Sequence, residues 1–186
     1  QIIRNTFLNC GHEPGTTPPV ANYNYGMYLQ SYLTVVDGNY IFRSGQYAIH
    51  MYSQVALLHQ NIVRNNTFSH SGAMKQSPHM VIGGGYNVIP NAAYIYNNTF
   101  YGSGLSGVNG TGAIDMLGVT NLYILNNSFL NLPYYGVNVG EQENAVNVTI
   151  KNNIFRNVAI AGLSTYSTPI RQANPGNITN LACGTN

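Results

Sequence analysis

The chain has 186 residues, of which 44% are hydrophobic, enough for one domain with a sizeable core. Only 6% are charged, against roughly 25% in ordinary soluble domains. The seven basic residues are scattered and leave a net charge of +2, which excludes the basic footprint of a nucleic-acid binder. An aromatic share of 11% excludes a disordered chain, and no apolar run reaches the roughly 18 residues of a membrane span.

Read in chain order, one phrase recurs. It is IIRNTF at Ile2–Phe7, a looser GNYIF ending at Phe42, IVRNNTF at Ile62–Phe68, YIYNNTF at Tyr94–Phe100, YILNNSF at Tyr123–Phe129 and TIKNNIF at Thr149–Phe155. A fixed phrase at variable spacing marks one structural unit with loop insertions. Before each Phe, apolar and exposed residues alternate at period two, so the unit is a strand. Val63, Ile95, Ile124 and Ile150 are expected inward; Arg64, Tyr96, Leu125 and Lys151 outward. The paired Asn suit a sharp bend, because Asn tolerates the left-handed conformation. Stacked Asn5, Asn66, Asn98, Asn127 and Asn153 are expected to form an amide ladder that Tyr40 interrupts.

A second short strand follows each Phe, expected at Gly26–Leu29, Ala48–Met51, His79–Ile82, Ala113–Met116, Gly136–Val139 and Gly162–Thr165. Its inward positions hold Met27, Met51, Met80 and Met116, which reads as core, since Met fills irregular gaps. Residues 9–24, 69–78, 101–111, 83–93, 140–147 and 166–177 read as loops flanking this strand. The fold class is therefore all-β: a right-handed parallel β-helix of three-strand rungs, with about six to seven coils. Residues 1–186 form one such domain. Because the chain opens inside a repeat, it reads as a piece of a longer solenoid.

The N-N-x-F phrase and the G-φ-x-φ strand resemble the right-handed parallel β-helix superfamily that includes pectate lyases and polygalacturonases. The resemblance covers nearly the whole chain. It implies substrate binding along the outer face of the G-φ-x-φ strands. That places Tyr28, His50, Val81, Asp115, Asn138 and Ser164 in one outward column, and Tyr25, Tyr47, His79, Gly112, Tyr135 and Ala161 in another. Aromatic rings beside hydrogen-bonding groups suit sugars, whose rings have apolar faces and polar edges. The expected substrate-binding residues are Tyr25, Tyr28, Tyr47, His50, Asp115, Tyr135 and Asn138, and the expected partner is a polysaccharide or glycan.

If the chain is an enzyme, the resemblance implies a polysaccharide lyase or a glycoside hydrolase. Five acidic residues in the whole chain weigh against both, because hydrolysis uses two carboxylates and calcium-dependent elimination uses several. The catalytic candidates are His50, His79 and Asp115, with Glu141 and Glu143 in a loop that can approach Asp115. The histidines have no zinc-like spacing, and no metal or cofactor is expected. GSGLSG at Gly102–Gly107 matches a dinucleotide glycine pattern only literally and reads as a loop.

Six N-x-[ST] sequons, at Asn65, Asn97, Asn109, Asn126, Asn147 and Asn177, are candidate glycosylation sites and point to a secreted or cell-surface protein. The few carboxylates point to an acidic setting, since acid has little to protonate. Cys10 and Cys183 lie at opposite ends of the stack, too far apart to bridge. Open solenoid ends expose strand edges. A second function therefore stands beside glycan binding: a structural or adhesive solenoid that self-associates head to tail into a fibre.

Overall fold

The Asn-Asn-x-Phe phrase is a corner. A computed structural model describes residues 1–10, 25–30, 32–52, 59–72, 77–83, 91–103, 112–158 and 168–185. In it the first Asn of each pair is left-handed, with φ of +55° to +56° at Asn65, Asn97, Asn126 and Asn152; Arg4 and Gly38 make the same corner in the first two rungs. The second Asn turns inward. The Asn66 backbone N–H and Nδ2 both donate to Asn98 Oδ1, at 2.9 and 3.0 Å, and Asn98 Nδ2 donates to the Val63 carbonyl at 2.9 Å. Each buried amide thus satisfies a backbone group in the rung on either side, as buried polar groups require.

The ladder runs from Asn5 through Asn39, Asn66, Asn98 and Asn127 to Asn153. Tyr40 does not break it, because Asn39 fills the place. The GNYIF phrase is consequently shifted by one residue from its expected alignment. Phe7 pairs with Ile41, and Ile41 with Phe68, while Phe42 lies beside Leu8 and Ser69. A one-residue slip in a strand exchanges its two faces. Here the buried amide decides the register, and Phe42 goes outside.

Three parallel sheets result, with seven, six and six strands. The first contains His59–Arg64, Asn91–Tyr96, Val119–Leu125 and Ala145–Lys151. The second contains Thr67–Ser71, Thr99–Ser103, Ser128–Leu132 and Ile154–Val158. The third consists of Met27–Leu29, Ile49–Met51, Met80–Ile82, Ile114–Met116, Tyr135–Val139 and Thr168–Gln172. Strands of the second sheet continue beyond the Phe, so Tyr101–Ser103 is strand and not loop. Residues 91–93 and 145–147 are likewise strand.

The place expected for Gly162–Thr165 is taken by Thr168–Gln172, with Ile170 beside Val137 and Arg171 beside Asn138. Residues 159–167, including Ala161 and Ser164, lie outside the described residues. The G-φ-x-φ pattern misassigned this strand because Thr-Pro-Ile-Arg-Gln carries the same alternation without the glycine.

The interior is a set of stacked columns. Phe68, Phe100, Phe129 and Phe155 lie ring on ring at 4.8–5.1 Å and within 10° of parallel. Met27, Met51, Met80 and Met116 are buried. Val63, Ile95, Ile124 and Ile150 are fully buried, as the alternation requires. Cys10 and Cys183 are both free.

A further left-handed column carries amides outside the core. Asn121, Asn147 and Asn180 each donate to the amide oxygen one rung earlier, at 2.9 Å, starting from Asn91. Four of the sequon asparagines, Asn65, Asn97, Asn126 and Asn147, therefore occupy positions that the backbone demands. Asn177 ends a short 3-10 turn, Pro175–Asn177, and Asn109 lies outside the described residues.

Adjacent asparagines should respond oppositely to substitution. Asn98→Ala orphans buried groups above and below and should destabilise by on the order of 2–4 kcal/mol in urea denaturation. Asn97→Gly keeps a left-handed corner that glycine adopts freely, and should stay within about 0.5 kcal/mol of the parent. Equal effects at the two positions would contradict the ladder.

Candidate functional site

The outer face of the third sheet carries one column fixed by register. Tyr28 lies beside His50, His50 beside Val81, Val81 beside Asp115, Asp115 beside Asn138 and Asn138 beside Arg171. Five of these positions are those expected from the sequence. Arg171 replaces Ser164.

One end of the column is aromatic. The His50 ring is enclosed by Tyr25, Tyr28, Tyr47 and Tyr52, with ring centroids 4.9–5.1 Å away. Tyr25 stacks on Tyr47 at 5.4 Å and on Tyr28 at 5.6 Å. The strand repeat puts these rings over one another, so most of their faces are used internally. Tyr28, 42% exposed, is the most open of the four. Enclosure removes water from His50 and holds its pKa down to about 4, so the ring is neutral near pH 7. Tyr52 was not singled out by the sequence, because it lies just beyond the strand.

The other end is polar. Asp115 is almost buried, and Asn138, fully buried, donates Nδ2 to Asp115 Oδ1 at 2.6 Å and to Glu141 Oε2 at 3.2 Å. The Tyr135 hydroxyl reaches Asp115 Oδ2 at 3.4 Å. Tyr135 lies back across Gly112, where a Cβ would meet its ring at 2.0 Å, so only glycine fits there. This folds Tyr135 into the site as a buried residue, not an open platform. A left-handed Gly140 (φ +72°) turns the chain after Val139, and the Glu141 N–H donates to the Met116 carbonyl at 3.1 Å. Glu141 thereby bonds directly to Asp115. Glu143 instead turns toward Gly118.

Burial first, and the Glu141 bond and charge second, push the Asp115 carboxyl up to about 8. Asp115 therefore holds its proton near neutral pH, with Glu141 against it. They are in hydrogen-bond contact, closer than the roughly 5–9.5 Å separations used in two-carboxylate glycoside hydrolysis. Among the described residues, no group of three or more His, Cys, Asp or Glu is placed to hold a metal ion.

His79 is not on this face. It is fully buried and lies against the Phe68 and Phe100 rings, at 6.4 and 6.1 Å. It immediately precedes Met80 and so occupies the inward Ala48 and Ala113 position, one residue from the Tyr25 and Tyr47 column. Burial holds its pKa down to about 3. The His50–His79–Asp115 grouping therefore does not form. Val81 separates His50 from Asp115 on the outside, and His79 is inside.

A family model described as a right handed beta helix region matches residues 1–171. No curated protein matches the chain, and no solved structure does.

The titrations oppose one another. Asp115 has its pKa raised from 3.8 to about 8. Its contribution to stability is full below the unfolded value and is lost as pH rises through the folded one. His50 and His79 have theirs lowered from 6.5, so stability falls as pH drops below 6.5. Between about pH 6.5 and 8 Asp115 dominates these three groups. The urea midpoint should fall over that window, and Asp115→Asn, which keeps the shape of the site, should flatten it. An unchanged slope in the variant would place the titration elsewhere.

Proposed function

The chain belongs to the right-handed β-helix family, and from that premise we propose that it binds a polysaccharide or glycan along the outer face of the third sheet. The observation that carries this is a single column holding an exposed tyrosine at one end and converging hydrogen-bonding groups at the other. Tyr28 offers an apolar surface to a sugar ring, and the Asp115–Glu141 pair offers acceptors for its hydroxyls. Binding, rather than hydrolysis by two separated carboxylates, fits the contact between those two groups. A secreted or cell-surface location belongs to the same proposal, since such polymers are found there.

Tyr28→Ala should weaken glycan binding about tenfold, or ~1.4 kcal/mol. Tyr94→Ala removes a comparably exposed ring from the first sheet and should leave binding unchanged. Isothermal titration against the oligosaccharide recovered from a glycan array checks both. A blank array together with concentration-dependent oligomers in light scattering would favour head-to-tail assembly of the solenoid instead.

A further inference from the structure

We propose that this face selects uncharged glycans and rejects uronate polymers, an inference that rests on the glycan-binding proposal above. The argument follows the column from rung to rung. Tyr28 and Val81 carry no charge, and His50 sits among four tyrosine rings that exclude water from it. At the polar end two carboxyls converge on one amide, that of Asn138, at 2.6 and 3.2 Å. A sugar carboxylate arriving here adds negative charge beside the nearly buried Asp115 and Glu141, and like charge at a desolvated site is strongly disfavoured.

Among the described residues, most cations lie on other sheets. Arg64 and Lys151 belong to the first sheet, and Arg156 to the second. Arg43 lies over the Phe42 ring on the second sheet's outer side. Among the described residues, Arg171 alone stands in the column, and it already interacts within the chain. Asp115 and Glu141 are the acidic groups that an incoming sugar meets at this end. A sugar hydroxyl donates to the free lone pairs of the pair and adds no charge.

The experiment uses one backbone with its charge present or removed. The whole chain is titrated calorimetrically with an oligogalacturonate and with the same oligomer fully methyl-esterified, alongside neutral gluco-, xylo- and manno-oligosaccharides. The uncharged oligomers should bind at least about tenfold tighter than the acid form. Glu141→Gln should narrow the ratio of affinities between the uncharged and the acid forms several-fold, whatever it costs in hydroxyl contacts common to both. Asp115→Asn, with a thermal melt for folding, provides the second variant should Glu141→Gln not fold. Equal or tighter binding of the acid form would overturn the selectivity and leave glycan binding standing. Absence of binding to every oligomer would overturn glycan binding itself, and the selectivity with it.

Discussion

The buried asparagine ladder is the interaction on which the rest of this structure depends. An amide placed inside an apolar stack is tolerated only if its hydrogen bonds are made. Each ladder asparagine makes them with the rung before and the rung after. Asn127, for example, donates to the Ile95 and Leu125 carbonyls and to Asn153 Oδ1. No rung can satisfy its own amide alone. The ladder therefore holds rungs in register, and Asn39 does so even where the phrase around it is degraded.

Register is what turns sequence periodicity into columns of like side chains, one strand spacing apart. Inside, this gives the parallel phenylalanine stack. Outside, it makes aromatic rings cover one another, which is why Tyr25 and Tyr47 offer less free surface than their number implies. It also forces charges into proximity. Like charges repeated in successive rungs repel along the whole column. The low charge of the chain has a cause in that geometry, independent of any acidic habitat. Where charges do meet across rungs they are opposite or protonated. Asp37 is in register with Arg64 and pairs with it at 2.9 Å, and Asp115, raised by burial and by Glu141, holds its proton near neutrality.

The same geometry revises the argument from few carboxylates to acid tolerance. His79, enclosed by phenylalanines, and His50, enclosed by tyrosines, are both held neutral. Protonating either one in acid opposes folding. Counting acidic residues overlooks this, because the acid-sensitive groups are bases whose enclosure a composition does not reveal. The sequons have a comparable history. Asn65, Asn97 and Asn126 stand where a left-handed corner is required, and the residue two further on begins the next strand. The corner phrase produces the N-x-[ST] pattern without reference to any modification.

The sequence by itself determined the solenoid: period-two strands, the Asn-Asn corner, the Met and Phe columns, and the outward order Tyr28, His50, Val81, Asp115, Asn138. These are local patterns, repeated often enough to identify one another. Only the tertiary structure decided what single residues did where the repeat weakened. Asn39 displaced Tyr40 from the ladder position because an amide was needed between Asn5 and Asn66. Thr168–Gln172 supplied the last strand of the third sheet and brought Arg171 to Asn138. His79 went inside because one residue of offset exchanges the two faces of a strand. The sequence left both Glu141 and Glu143 able to approach Asp115; a turn at Gly140 carried Glu141 back one rung onto it, while Glu143 turned toward Gly118.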